Sequence, residues 1–224
     1  MSVFNDLVNI WKRSDLLSEA WDESHKMILL SNSIFIKAIE GLRSGEKTKA
    51  LKSIKKRDKE INNFHRDVRR KVVTHYSVSG DTLNIESGLV LINLVVDIER
   101  IGDYTKNILD LAIYNPKPIL AEEVSDHLSL IEEVVLSRFT STISALENKD
   151  PQKAQALLNS YRKDLGKVSD LIVHNIISGD FEIKNSVSPA SVALYARYLK
   201  RIGAHLKNIT SVITNPFEMI GYNT

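Results

Sequence analysis

Apolar residues recur at three- and four-residue steps along most of the chain, the period of a helix with one buried stripe. The longest run, "TLNIESGLVLINLVVDIERIGDYTKNILDLAIY", sets Leu91, Leu94, Ile98, Ile101, Thr105, Ile108 and Ala112 on one such stripe. The same period predicts six long helices. The first opens at Ser14 or Asp15, whose side chains can cap a helix N-terminus, and closes at Gly45, which can take the left-handed conformation at a C-terminus. The second runs from about Lys47 to Tyr76 and ends in "SVSGD", where Gly80 supplies the turn and Asp81 opens the third helix. Pro116 and Pro118 in "NPKP" stop that third helix, because proline lacks the amide hydrogen that continuation needs. The fourth covers about Leu120 to Glu147. Asp150 and Pro151 cap and start the fifth, which reaches about Ile177, and Ser188 and Pro189 do the same for the sixth. A short amphipathic stretch around Phe4 to Trp11 precedes them all.

Three helices on either side of Pro116 suggest an internal repeat. "IERIGDYTKNI" (98–108) and "LKRIGAHLKNI" (199–209) share Arg, Ile, Gly, Lys, Asn and Ile in the same order, 101 positions apart. The expected fold is therefore all-α, six long helices forming two tandem antiparallel three-helix bundles, residues 1–115 and 116–224. A glycine inside a helix costs roughly 1 kcal/mol relative to alanine. Keeping Gly102 and Gly203 at equivalent places predicts that a neighbouring helix approaches closely at both.

Composition narrows the chemistry. Glycine and proline are scarce, 9 and 5, which suits a helical protein, and cysteine is absent. Without thiolates, a metal must bind through oxygen or imidazole. No run of some 18 apolar residues is present, and "MSVFNDLVNIWKRSD" carries acidic and polar residues within its apolar pattern, unlike a signal peptide. The expectation is a cytoplasmic protein with no direct membrane insertion. A net charge of +2 is too small to argue for nucleic acid as a whole-molecule property. The basic stretch "KTKALKSIKKRDKEINNFHRDVRRK" is preceded by Glu46, is interleaved with Asp58, Glu60 and Asp67 and has no aromatic stacking pattern, so it reads as a solvated face or a patch for an acidic partner.

Glu99 and Asp103 stand four residues apart, on one helix face and roughly 5–6 Å apart at Cβ, where like charges repel. Either Arg100 or Lys106 neutralises them as part of a solvated face, or a bound cation does. The second helix presents Asp58, Asn62 and His65 as a polar stripe, and an antiparallel arrangement would bring that stripe opposite the pair. Asn107 lies a turn beyond Asp103. A ligand set of this kind, oxygen-rich and free of sulfur, suits Mg, Ca, Mn or Fe. The remaining histidines, His25, His75, His127, His174 and His205, are isolated in sequence, and Trp11 and Trp21 read as packing anchors.

At "ERIGDYTKNI" the chain resembles the PhoU family of phosphate-signalling regulators, matching its "ERIGDHxxNI" phrase at Glu99, Arg100, Ile101, Gly102, Asp103 and Asn107; "ARYLKRIGAHLKNI" is similar to the second copy. The resemblance implies a duplicated three-helix bundle and a divalent or iron metal site, single or clustered. The implied ligands are Glu99, Asp103, Asp58 and Asn62, with His65 and Asn107 as accessories and Asn62 standing where aspartate is common. In the second bundle Lys200 and Ala204 replace the acidic pair, and Leu165 and Ser169 align with Asp58 and Asn62, so no cluster is expected there. An ammonium repels a cation. The implied role is a non-enzymatic regulator of phosphate transport and phosphate-starvation signalling. Its implied partners are a phosphate-transporter ATPase or a sensor histidine kinase, and the amphipathic helices suggest a homodimer. Two alternatives stand beside this. One is a di-iron helical-bundle enzyme, although no Glu-x-x-His pair lies beside Glu99; the other is a metal-free interaction scaffold.

Overall fold

The structure, a computed structural model, describes residues 15–45, 48–80, 85–115, 124–148, 150–161, 165–183 and 188–222. The expectations placed on Phe4 to Trp11, Ser14, Asp81, Pro116, Pro118 and Leu120 lie outside them. Among the described residues the chain forms helices α1 (Leu16–Ser44), α2 (Thr48–Lys56), α3 (Asp58–Ser79), α4 (Ile85–Tyr114), α5 (Ser125–Asn148), α6 (Pro151–Ser160), α7 (Leu165–Ser178) and α8 (Pro189–Thr214). A 3-10 turn, Phe217–Met219, follows α8.

Local chemistry explains most boundaries. Asp15 Oδ1 accepts the amide hydrogens of Leu17 and Ser18, each at 3.0 Å, satisfying two donors that a helix start leaves unpaired. Gly45 and Gly80 close α1 and α3 at φ 68° and 64°, the left-handed region glycine enters without steric cost. Asp150 caps α6 through Gln152 and Lys153, with Pro151 in the first turn. Ser188 precedes α8 as expected but makes no capping bond with its side chain.

Two of the six expected rods are each divided. The second breaks at Arg57, where the Arg57 amide bonds to Ile54 O at 3.0 Å and the Glu60 amide to Arg57 O at 2.9 Å, three-residue spacings that tighten one turn. Because Arg57 keeps right-handed helical angles, the chain bends without reversing. The fifth rod divides into α6 and α7 after Tyr161.

The stripe predicted on α4 is buried: Leu91, Leu94, Ile98, Ile101, Thr105 and Ile108 are at most 2% exposed, while Ala112 is half-buried. Helices α1 to α4 pack together, as do α5 to α8, and the two groups meet along equivalent helices. α4 runs antiparallel to α8, with Asp97 against His205 and Asn208, Tyr104 against Arg201, and Asn115 against Ser191. α1 runs antiparallel to α5, joined by Arg43 to Glu132, by His25 to Glu147, and by the stacked rings of Phe35 and Phe139. One hydrophobic core therefore continues across both groups. Among the described residues no helix is long and apolar enough to cross a membrane.

Candidate functional site

Gly102 opens the place where α3 and α4 cross. A Cβ there would stand 3.2 Å from Ile61 Cδ1, a tight contact, and 3.5 Å from Asp58 Oδ1, an ordinary one, so α3 lies against the bare glycine with Asp58 over it. Gly203 does the same in the second half, where a Cβ would fall 2.3 Å from Leu165 Cδ2. Asp58 and Leu165 thus occupy matching places, as their alignment in sequence predicts.

Around Gly102 the structure gathers Asp58, Asn62, Glu99 and Asp103, and it adds Lys106. The Lys106 ammonium donates to Asp103 Oδ1 at 2.9 Å and to Asp58 Oδ2 at 3.1 Å, spanning the two helices. Arg100 closes the outer side, donating from Nη1 to Asp103 Oδ2 at 3.1 Å and standing 3.7 Å from Glu99 Oε2. Asn62 Nδ2 donates to Asp58 Oδ2 at 3.1 Å. A carboxylate can only accept, so the Asn62 amide turns its NH₂ and not its oxygen toward Asp58.

Titration follows from this crowding. Burial pushes the Glu99 carboxyl above its ordinary value; Asp103 and Asp58 add to the rise while Arg100 and Lys106 oppose it. Burial lowers the Lys106 ammonium, but its hydrogen bonds to Asp103 and Asp58 outweigh that, and its pKa is raised. His65 lies on the same face of α3. Burial, then Arg69 and Arg100, depress its pKa, and its Nε2 is buried without a hydrogen-bond partner. Asn107 is half-buried a turn beyond Asp103, and none of the cluster's hydrogen bonds reaches it.

A metal fits these residues only if they change. The oxygens of Asp58 and Asp103 that face each other already hold the Lys106 ammonium, and Asn62 presents a donor. Among the described residues no group of three or more His, Asp or Glu side chains is arranged to hold a metal ion.

The second half solves the same problem with other residues. Leu165 and Ser169 are buried, and Ser169 Oγ donates to Ala196 O at 2.9 Å. Lys200, at the position of Glu99, donates to both oxygens of Asp170, at 2.8 and 2.7 Å, and Arg197 joins at 2.7 Å. The lysine holds the Asp170 carboxyl below its usual range. Ala204 is exposed, and Lys207, the counterpart of Lys106, donates instead to Gly221 O at 3.1 Å. Sequence reasoning named Lys106 as one candidate counter-charge but not its reach to Asp58. It missed Asp170, whose aligned position in the first half is Asn63, outside the acidic pattern.

A family model described as the PhoU domain matches residues 25–112. No curated protein matches the sequence. The fold is similar to the crystal structure of PhoU from Pseudomonas aeruginosa, with TM-score 0.75, 18% identity, and coverage of 88% of this chain and 95% of that one. It is also similar to the phosphate transport system regulatory protein PhoU from Streptococcus pneumoniae, with TM-score 0.75, 17% identity, and coverage of 88% and 92%. At these identities the structures speak for the fold, which they share across both halves. Residues 25–112 thus match the PhoU domain, and nearly the whole chain shares the fold of the PhoU structures.

Proposed function

We propose that the protein is a regulator of phosphate transport and phosphate-starvation signalling that acts through protein contacts. The observation that carries this is the PhoU domain match combined with a PhoU fold over nearly the whole chain, one of whose counterparts is described as a phosphate transport system regulatory protein. Long helices with exposed faces, α1 with Leu29 and Ile36 and α8 with Leu194, suit docking through helix surfaces. On this reading the partners are a phosphate-transporter ATPase or a sensor kinase, the protein works in the cytoplasm as a homodimer, and it has no catalytic role. A metal would join the α3–α4 face only by displacing Lys106.

The charges along α2 and α3 favour this over nucleic-acid binding. Lys55 pairs with Asp110 at 2.5 Å, Arg57 with Glu60 at 3.0 Å, Arg70 with Asp67 at 3.2 Å, and Lys71 with Glu19 and Glu23. Ammonium and guanidinium groups satisfied within the fold have less to offer a phosphate backbone. The experiment is deletion of the gene in its host, with phosphate uptake and a phosphate-starvation reporter measured in phosphate-replete medium, alongside recovery of cross-linked partners. Derepression with capture of a transporter ATPase or sensor kinase is the expected result. An unchanged reporter, with neither partner recovered, overturns the reading.

A further inference from the structure

We infer that the first bundle carries its counter-ion in its own chain: the Lys106 ammonium holds Asp58 of α3 to Asp103 of α4 and thereby excludes a divalent cation from the place the family resemblance assigns to metal. The inference stands whichever partners the protein has.

Three observations support it. The ammonium stands between carboxylates of two helices, 3.1 Å from one and 2.9 Å from the other, which is where a bridging cation would have to sit. The charge balance is also close to complete. Asp58, Glu99 and Asp103 face Lys106 and Arg100, leaving a single excess negative charge when all are ionised. Removing Lys106 would leave two excess negative charges, the number a divalent cation neutralises. Third, the second bundle fastens the same helix pair with a lysine. Lys200 of α8 grips Asp170 of α7, although the two lysines occupy different positions of the repeat. The common feature is thus an ammonium across the second and third rods of each bundle, reached from different sequence positions.

An ammonium is displaced by a divalent cation only if the new ligand set repays its loss. Here that set would contain one amide turned the wrong way, its Nδ2 donating to Asp58 Oδ2 at 3.1 Å. The lysine is tethered to the helix it stabilises, so it competes at a fixed high local concentration.

The test compares Mn(II) binding to the tag-free full chain and its Lys106→Met variant, by isothermal titration and by metal content after dialysis, with circular dichroism reporting the fold. The wild type is expected to retain no stoichiometric Mn(II). Lys106→Met is expected to bind Mn(II) about 100-fold more tightly, because a like charge within a few ångströms is removed. That gain should vanish when Glu99→Gln and Asp103→Asn are added. Lys200→Met, which leaves the single carboxylate of Asp170 paired with Arg197, should gain nothing. If Lys106→Met does not fold, Lys106→Gln keeps a polar side chain and takes its place, and the wild-type titration stands by itself. Stoichiometric Mn(II) on the wild type overturns the inference. So does a folded Lys106 variant that binds no better, or an equal gain in Lys200→Met.

Discussion

Glu99 shows how one residue reports on its surroundings. Its folded pKa lies above the ordinary carboxylate value of 4.5, so between those two values the folded state binds more protons than the unfolded one. The sign follows: stability falls as pH rises through that window and stays reduced at neutral pH. Glu99→Gln, which mimics the protonated form, should be more stable than wild type in urea at neutral pH. The advantage should disappear below pH 4.5; an advantage independent of pH would mean that burial does not penalise the Glu99 charge. The sequence contained half of this site. The pairing of Glu99 with Asp103, and of Asp103 with Lys106, follows from helical spacing. The bond from Lys106 to Asp58 depends on how far α3 and α4 overlap, which no local pattern encodes. Asp170 escaped for the same reason, since only packing distinguishes it from its neighbour Ser169.

Glycines set how closely the helices approach. Gly88, near the start of α4, was not singled out by the repeat, yet it is as closely approached as Gly203: a Cβ would lie 2.3 Å from Tyr76 Cε2 and 2.9 Å from Val72 Cγ1. Its amide also donates to Tyr76 Oη at 3.2 Å. Gly88→Ala should therefore destabilise by about 1–3 kcal/mol through overpacking against a ring and a branched side chain. At Gly102 the added methyl meets the end of the Ile61 side chain at 3.2 Å. There the gain in helix propensity, roughly 1 kcal/mol, offsets most of the strain. Chemical denaturation of both variants checks the order, and a Gly102→Ala loss larger than that of Gly88→Ala contradicts it. Helix ends were legible wherever chemistry marks them, as at Asp15, Gly45, Gly80 and Asp150. The break at Arg57 was not, because neither proline nor glycine marks it and the chain keeps helical angles through it.

At the scale of the molecule, the two bundles are held by a continuous core and by a buried polar group at its edge. Arg43 of α1 donates to Glu132 of α5 from Nε at 3.0 and 3.2 Å, and Tyr195 of α8 donates its hydroxyl to the same carboxylate at 2.5 Å. Burial first, then the Glu132 charge, raises the Tyr195 pKa well above its ordinary value, so the tyrosine stays a donor. Glu132→Ala removes the carboxylate from the Arg43 guanidinium, leaving it the Ser129 hydroxyl at 3.3 Å, and should cost about 3 kcal/mol. Tyr195→Phe removes one hydrogen bond to a charged group and should cost about 1.5 kcal/mol. Equal losses in urea denaturation would show that the carboxylate does not hold both elements.

The central claim is that this chain, with its PhoU domain match over residues 25–112, holds its acidic helix face together with lysine instead of metal. The most direct measurement is the thermal midpoint of tag-free protein before and after exhaustive treatment with a chelator. The account predicts midpoints equal within about 1 °C, since removing a ligand that is not bound shifts nothing. A drop of several degrees on chelation, restored by Mn(II) or Fe(II), would contradict it.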